Sequence, residues 1–204
     1  MQTVKHIERL WEARKYERLF RELIANRAGA SLRLELELSS VIPAAAMALI
    51  RLDELSQSHV PLYAKLVRTL VATQDRDGGW GGGDPIATAL CLRALMAGRG
   101  GGEAIERALA HLATLQKPEG LWPRVPFRRM PADPYVSAFI LYQLGDAARF
   151  REAVRLKDAI DWFAAHESSL DRPTRDLWDR ATLRCRSARP SYTSTLPSMA
   201  AAWS

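Results

Sequence analysis

Two short stretches, QDRDGGW (74–80) and QKPEGLW (116–122), share the pattern Q-x3-G-x-W with the same internal spacing and lie 42 residues apart. Such a repeat limits the fold more than composition does, because each copy sits between the same two helix signals. An amphipathic stretch precedes each, YAKLVRTLVATQ or ERALAHLATLQ, and an apolar run opened by Asp-Pro follows, DPIATALCLRAL or DPYVSAFILYQL. Within those runs Asp84 aligns with Asp133, Thr88 with Ser137 and Ala89 with Ala138. The unit therefore reads as outer helix, tight turn, inner helix. A degraded third copy is visible in DAIDWFAAHESSL, where Trp162-Phe163 precedes Glu167 by the interval that separates His111-Leu112 from Gln116.

The residues of the motif suit a turn. Gly78 and Gly120 tolerate the positive φ that reverses a chain after a helix, and the Gln74 and Gln116 amides pair with helix-end backbone groups. Trp80 and Trp122 then fill the space beneath. A phosphate cradle is the weaker reading of GGWGGGD, which follows a helix rather than a strand and lacks the Lys-Ser/Thr of a nucleotide-binding loop.

The rest of the chain agrees with an all-α fold. Alternating β-branched runs are missing, and Ala, Leu, Arg and Glu dominate. Helices are expected over 4–25, 40–53, 59–74, 84–98, 103–116, 133–145, 147–167 and 174–187, with proline at Asp84-Pro85, Asp133-Pro134 and Arg172-Pro173 in first-turn positions. The first of them is unusual. Val4, Ile7, Leu10 and Trp11 face one way and Leu19, Phe20, Leu23 and Ile24 nearly the other, so it either breaks near Arg14-Lys15 or is contacted on both sides. One domain is expected over 1–204: a capping helix and linker (1–37), hairpin repeats (38–190) and an apolar tail (191–204). That tail carries Tyr192, Leu196, Met199 and Trp203 with no charge, and is expected to dock on its own layer or on a second molecule.

With 204 residues, 48% hydrophobic and 25% charged, the chain is ordinary globular material. Its net charge of +6 comes from bases interleaved with acids along helices, which reads as solvated faces and no nucleic-acid partner. The charged N-terminus is not a secretory signal, and no run reaches the ~18 apolar residues of a membrane span. A soluble, cytoplasmic protein is expected. Cys91, Cys185 and the four histidines show no metal-ligand spacing, so neither metal nor cofactor is expected.

The Q-x3-G-x-W element, with Arg107-Ala108 upstream of its second copy, resembles the QW repeat of squalene–hopene cyclases and related terpenoid cyclases. Protein prenyltransferase β-subunits have similar α-hairpins. The resemblance spans about residues 60–190 and departs at His111, where the family pattern prefers an aromatic. It implies a partial α/α toroid, with inner helices around a central apolar cavity. The cyclases' D-x-D-D-T-A acid motif, aligned on Thr88-Ala89, finds Asp84 followed by Ile86 and Ala87; the second repeat offers Asp133, Tyr135 and Val136. Only the first acid survives in each, where it doubles as a helix cap. Asp84 and Asp133 are thus weak catalytic candidates. The prenyltransferase zinc pattern fails as well, since Ala87 stands at its histidine and Cys91 has no partner nearby.

One stretch departs from the repeat. The linker after Trp122, PRVPFRRMPA, is seven residues longer than its GGG counterpart. Arg124, Arg128 and Arg129 around Phe127 and Met130 suit a diphosphate or other acidic head group, against the alternative of a solvated proline-rich loop. Thr88, Tyr135 and Ser137 are the ligand-lining candidates on the inner helices. Three to four hairpins are too few to close a ring, so a protein partner or a second copy is expected to complete it. Two readings stay open. One is a non-catalytic toroid module that binds a hydrophobic, isoprenoid-like ligand or a protein; the other is a divergent terpenoid cyclase or prenyltransferase-like subunit.

Overall fold

The computed structural model describes residues 1–27, 41–98, 101–127 and 129–187. Among these the regular structure is helical: α1 (Gln2–Glu12), α2 (Tyr16–Arg27), α3 (Val41–Glu54), α4 (Pro61–Ala72), α5 (Pro85–Ala97), α6 (Gly102–Leu115), α7 (Pro134–Leu144), α8 (Ala148–Ala153), α9 (Leu156–His166) and α10 (Arg172–Ser187). A 3-10 turn, Glu167–Ser169, follows α9. An isolated antiparallel bridge joins Pro123 to Ala132. The all-α class expected from the sequence is what the chain adopts.

The helices alternate between two environments. α3, α5, α7 and α10 form a row in which each packs on the next, α2 packs on α3, and α4, α6 and the α8–α9 pair flank the row. Burial follows that division. α5 is enclosed on all sides, from Ala87 through Leu92, and α7 likewise from Val136 through Leu141. The flanking helices show a single apolar stripe: α4 buries Leu62, Leu66 and Leu70 while Lys65 and Arg68 stay exposed. Small residues let the row pack tightly. Ala44, Ala45, Ala46, Ala48, Ala89 and Ala138 are all buried.

Two expected helices are each split. The span 4–25 breaks into α1 and α2 at Arg14, whose φ of 54° is left-handed. The N–H of Arg14 donates to the Trp11 carbonyl and that of Lys15 to the Leu10 carbonyl, closing a helix end that glycine more often supplies. With the chain reversed there, Ile7, Leu10 and Trp11 on α1 and Leu19, Phe20 and Leu23 on α2 are all buried. The span 147–167 breaks between α8 and α9. There the Arg155 N–H leaves the helix ladder and donates to Gln116 Oε1 at 2.9 Å. The linker around 28–37 and the tail 191–204, with its expected docking, lie outside the described residues.

Candidate functional site

The two Q-x3-G-x-W turns are built alike. Gln74 Nε2 donates to the Gly78 carbonyl and Gln116 Nε2 to the Gly120 carbonyl, each at 2.8 Å. Both indoles are fully buried, and Trp80 Nε1 and Trp122 Nε1 donate at 2.8 Å to Leu70 and Leu112, on the helix that precedes each turn. The backbone N–H of each Trp donates onward to the inner helix, to Thr88 Oγ1 (3.1 Å) and Ser137 Oγ (2.9 Å). Thr88 and Ser137, expected to line a ligand site, are fully buried and hold the turn instead.

Each turn also grips the next flanking helix. Gly78 and Gly120 have φ of 91° and 87°. A Cβ on Gly78 would overlap the Arg107 backbone, and one on Gly120 the backbone of Asp158 and Ala159. The glutamines span the same junctions, Gln74 donating to the Ala104 carbonyl and Gln116 to the Arg155 carbonyl. Guanidinium groups close them from outside, Arg107 on the Asp75 carbonyl (2.6 Å) and Arg155 on the Lys117 carbonyl (2.5 Å).

After Trp80 the chain runs through Gly81, Gly82 and Gly83, all at positive φ. Consecutive amides in this conformation make a concavity for an anion. Its occupant is internal: Asp75 Oδ2 accepts the N–H of Gly82 at 2.9 Å and of Gly83 at 3.3 Å. His111 is buried against the same loop, with Nε2 donating to the Gly83 carbonyl at 3.1 Å and Nδ1 3.7 Å from Asp77. The glycines turn a corner around a carboxylate that the chain supplies itself.

The open space lies at one end of the row, where the N-termini of α5, α7 and α10 converge. A cavity of about 800 Å³ is found there, within the ~300–1,000 Å³ typical of small-molecule sites. Its rim carries three helix caps of one design. Asp84 accepts from the Ala87 N–H, Asp133 from the Val136 N–H and Asp171 from the Thr174 N–H, at 2.7, 3.1 and 3.0 Å. Each carboxylate faces the positive end of its own helix dipole. Ile86, Val125, Val136, Leu170 and the ring of Trp162 supply apolar wall.

Tyr135 stands among the caps. Burial, and then the negative charges of Asp171 and Asp133, push its phenol up, so it keeps its proton and remains a donor. Burial also raises Asp84 above the ordinary aspartate value of 3.8, against the amides of Ala87 and Ile86, which lower it.

The sequence candidates thus separate. Asp84, Asp133, Tyr135 and Arg124 come together at the cavity. Arg129 is exposed and is not among the residues that line it, and Arg128 lies outside the described residues. Sequence reasoning missed Asp171. Its cap was masked because Arg172 separates it from Pro173, although an Asp just ahead of a first-turn proline was the signal in both earlier copies. At the position equivalent to Thr88 and Ser137 the third copy has Arg175, which donates to the Leu170 carbonyl at 3.0 Å. Six residues after Glu167, where the earlier copies have tryptophan, stands Pro173; Trp178 of α10 stacks on Phe163, centroids 4.3 Å apart.

No family model, curated protein or solved structure matches this chain. What the residues themselves allow is narrower. Among the described residues no group of three or more His, Cys, Asp or Glu is placed to hold a metal ion. Cys91 and Cys185 are buried free thiols, both pushed up by burial, Cys91 strongly, which leaves them protonated and inert. No described helix is long and apolar enough to cross a membrane.

Proposed function

We propose that this chain is an α-hairpin module of the terpenoid-cyclase and prenyltransferase kind, an arc of an α/α toroid, that binds an apolar isoprenoid-like molecule without transforming it. The observation that carries the reading is the cavity at the N-termini of α5, α7 and α10. Its size suits a small lipid, and its walls combine aliphatic and aromatic surface with one phenol donor. The polar groups there are already committed: the three carboxylates cap helices. They also set the ligand's charge. Among the described lining residues three aspartates stand against one arginine, Arg124, which opposes a diphosphate, so a neutral prenyl alcohol or hydrocarbon fits better, with the Tyr135 hydroxyl as donor to any oxygen it carries.

The test is mass spectrometry of lipids that copurify with the protein, followed by calorimetric titration with a prenyl alcohol and the matching diphosphate. The alcohol should bind and the diphosphate should bind more weakly, with Tyr135→Phe costing the alcohol about fivefold from one lost hydrogen bond. Absence of both lipid and binding would sink the proposal.

One observation favours the alternative, a divergent cyclase-like enzyme: burial raises the Asp84 carboxyl beside the cavity, the direction that an acid for alkene protonation needs. Turnover of an isoprenoid that disappears in Asp84→Asn, while binding persists, would establish it.

A further inference from the structure

The loop that follows the second turn presents an apolar tip that no described residue covers. Phe127 is 67% and Met130 41% exposed, and apolar side chains held out in water mark an interaction surface. They are held out. The Pro123–Ala132 bridge pins the base of the loop, and the N–H groups of Phe127 and Met130 donate to the Val125 and Phe127 carbonyls at 2.8 and 3.0 Å. Pro123, Pro126 and Pro131 fix φ along it. The flanks of the tip are basic: Arg124 and Arg129 are exposed, with no acidic partner among the described residues, and residues 123–132 contain no Asp or Glu.

The mouth of the cavity has the opposite character. It is a hollow with apolar wall, and its described lining carries three aspartates and one arginine. Asp133 and Asp171 spend Oδ1 on their helix caps. Oδ2 of each accepts no hydrogen bond from a described residue, which leaves it open to a guanidinium. The base of the loop, at Arg124, Val125 and Ala132, forms part of that lining, so projection and hollow adjoin on the surface. A surface of this kind is self-complementary under a two-fold rotation whose axis passes between the two. We infer that two copies of this chain pair mouth to mouth, each setting Phe127 and Met130 into the other's cavity mouth, with Arg129 against Asp133 and Asp171 of the partner subunit. Aromatic, methionine and arginine side chains are those that protein interfaces enrich. The charges select the occupant: a basic apolar knob calls for an acid-rimmed apolar hollow, and a second copy brings one. The same carboxylates repel a nucleic acid or an anionic bilayer. Each copy thus adds a wall to the other's cavity, and the contact forms whether or not a lipid is bound.

Sedimentation velocity of the full chain over a concentration series tests this without any lipid, and so separates it from the binding reading above. The species should pass from 22.8 kDa to twice that mass as concentration rises, and high salt should drive it back. Phe127→Ser with Met130→Ser should raise the dissociation constant on the order of tenfold or more, and Arg129→Gln about fivefold. These side chains are exposed, so far-ultraviolet circular dichroism should not change. Val71→Ser, which removes a side chain 41% exposed on α4, should leave pairing as it is. Disulfide trapping reads the position of the contact. Cys91 and Cys185 are buried, so Phe127→Cys at the tip and Ser169→Cys at the exposed rim supply the accessible thiols. Chains that carry one substitution each, mixed and then oxidised, should form the mixed disulfide faster than either self-disulfide. The inference fails if the chain stays monomeric throughout the series, if the serine variant pairs as tightly as the parent, or if the mixed disulfide has no advantage.

Discussion

The first and second turns share one plan up to the tryptophan and then diverge. Up to that point each has the same glutamine-to-glycine hydrogen bond, the same buried indole on the preceding helix and the same glycine pressed against the next flanking helix. Beyond it, the first closes with three glycines around Asp75, and the second runs out through residues 123–132 to form part of the cavity wall. The shared half is what stacking one hairpin on another demands. The divergent half is free of that demand, and it is where the surface acquires an apolar tip and a cavity.

The strongest way to break the comparison is at the glycines. Gly78→Ala and Gly120→Ala combine a left-handed φ with overlap of a neighbouring backbone, and each should cost about 3 kcal/mol in urea unfolding. Gly82→Ala, at φ 74° but with open space around its Cβ, should cost only about 1 kcal/mol. Equal costs at Gly78 and Gly82 would remove close approach as the reason for the motif.

The glutamines should differ by less. Gln116 uses both ends of its amide at the α8–α9 break, accepting from the Arg155 N–H, whereas among the described residues Gln74 acts as a donor alone. Gln116→Ala should therefore exceed Gln74→Ala by about 1 kcal/mol, because it leaves a backbone N–H without its partner.

The caps sharpen the comparison through pH. Burial raises the Asp84 carboxyl in the folded protein above its unfolded value, so the native state binds the proton more tightly than the unfolded chain does. Its contribution to stability is therefore complete below about pH 3.8, the ordinary aspartate value, and falls as pH rises toward the folded value. Asp84→Asn keeps a capping side chain and removes the cost of ionisation. Its stability relative to the parent should rise across that window and then stay level, which unfolding curves at a series of pH values would show. A flat difference would mean that Asp84 is solvated.

The smallest effect concerns the helix ends. Arg14 and Ser56 occupy left-handed positions, φ 54° and 56°, that glycine adopts without strain. Arg14→Gly and Ser56→Gly should each stabilise by about 0.5–1 kcal/mol in thermal melts.

Much of this was legible in the sequence, and what was not shares a cause. The unit of helix, turn and helix could be read because its signals are local: a glutamine, a glycine and a tryptophan at fixed spacing, then Asp-Pro. The break between α8 and α9 carries no glycine or proline. It exists because Gln116, 39 residues earlier in the chain, takes the Arg155 amide. The break at Arg14 could be read only as one of two options, from the way its apolar residues face, because no glycine marks the left-handed turn. At Thr88 and Ser137 the sequence shows which helix a hydroxyl sits on, and not that a tryptophan amide donates to it. Asp171 completed the cavity rim only once three helix ends had been brought together from positions far apart in the chain.

The contact between each turn glycine and the next flanking helix resembles the stud and socket of a building block. Gly78 seats on the Arg107 backbone, and Gly120 on the Asp158 and Ala159 backbone one unit further on. Each hairpin thus carries the stud for its successor and the socket for its predecessor. A unit inserted into such a chain would arrive with both fittings already matched. The third copy lacks these fittings: Asp171 and Pro173 stand where the glycine and the tryptophan would be, and Arg175 turns back onto its own loop.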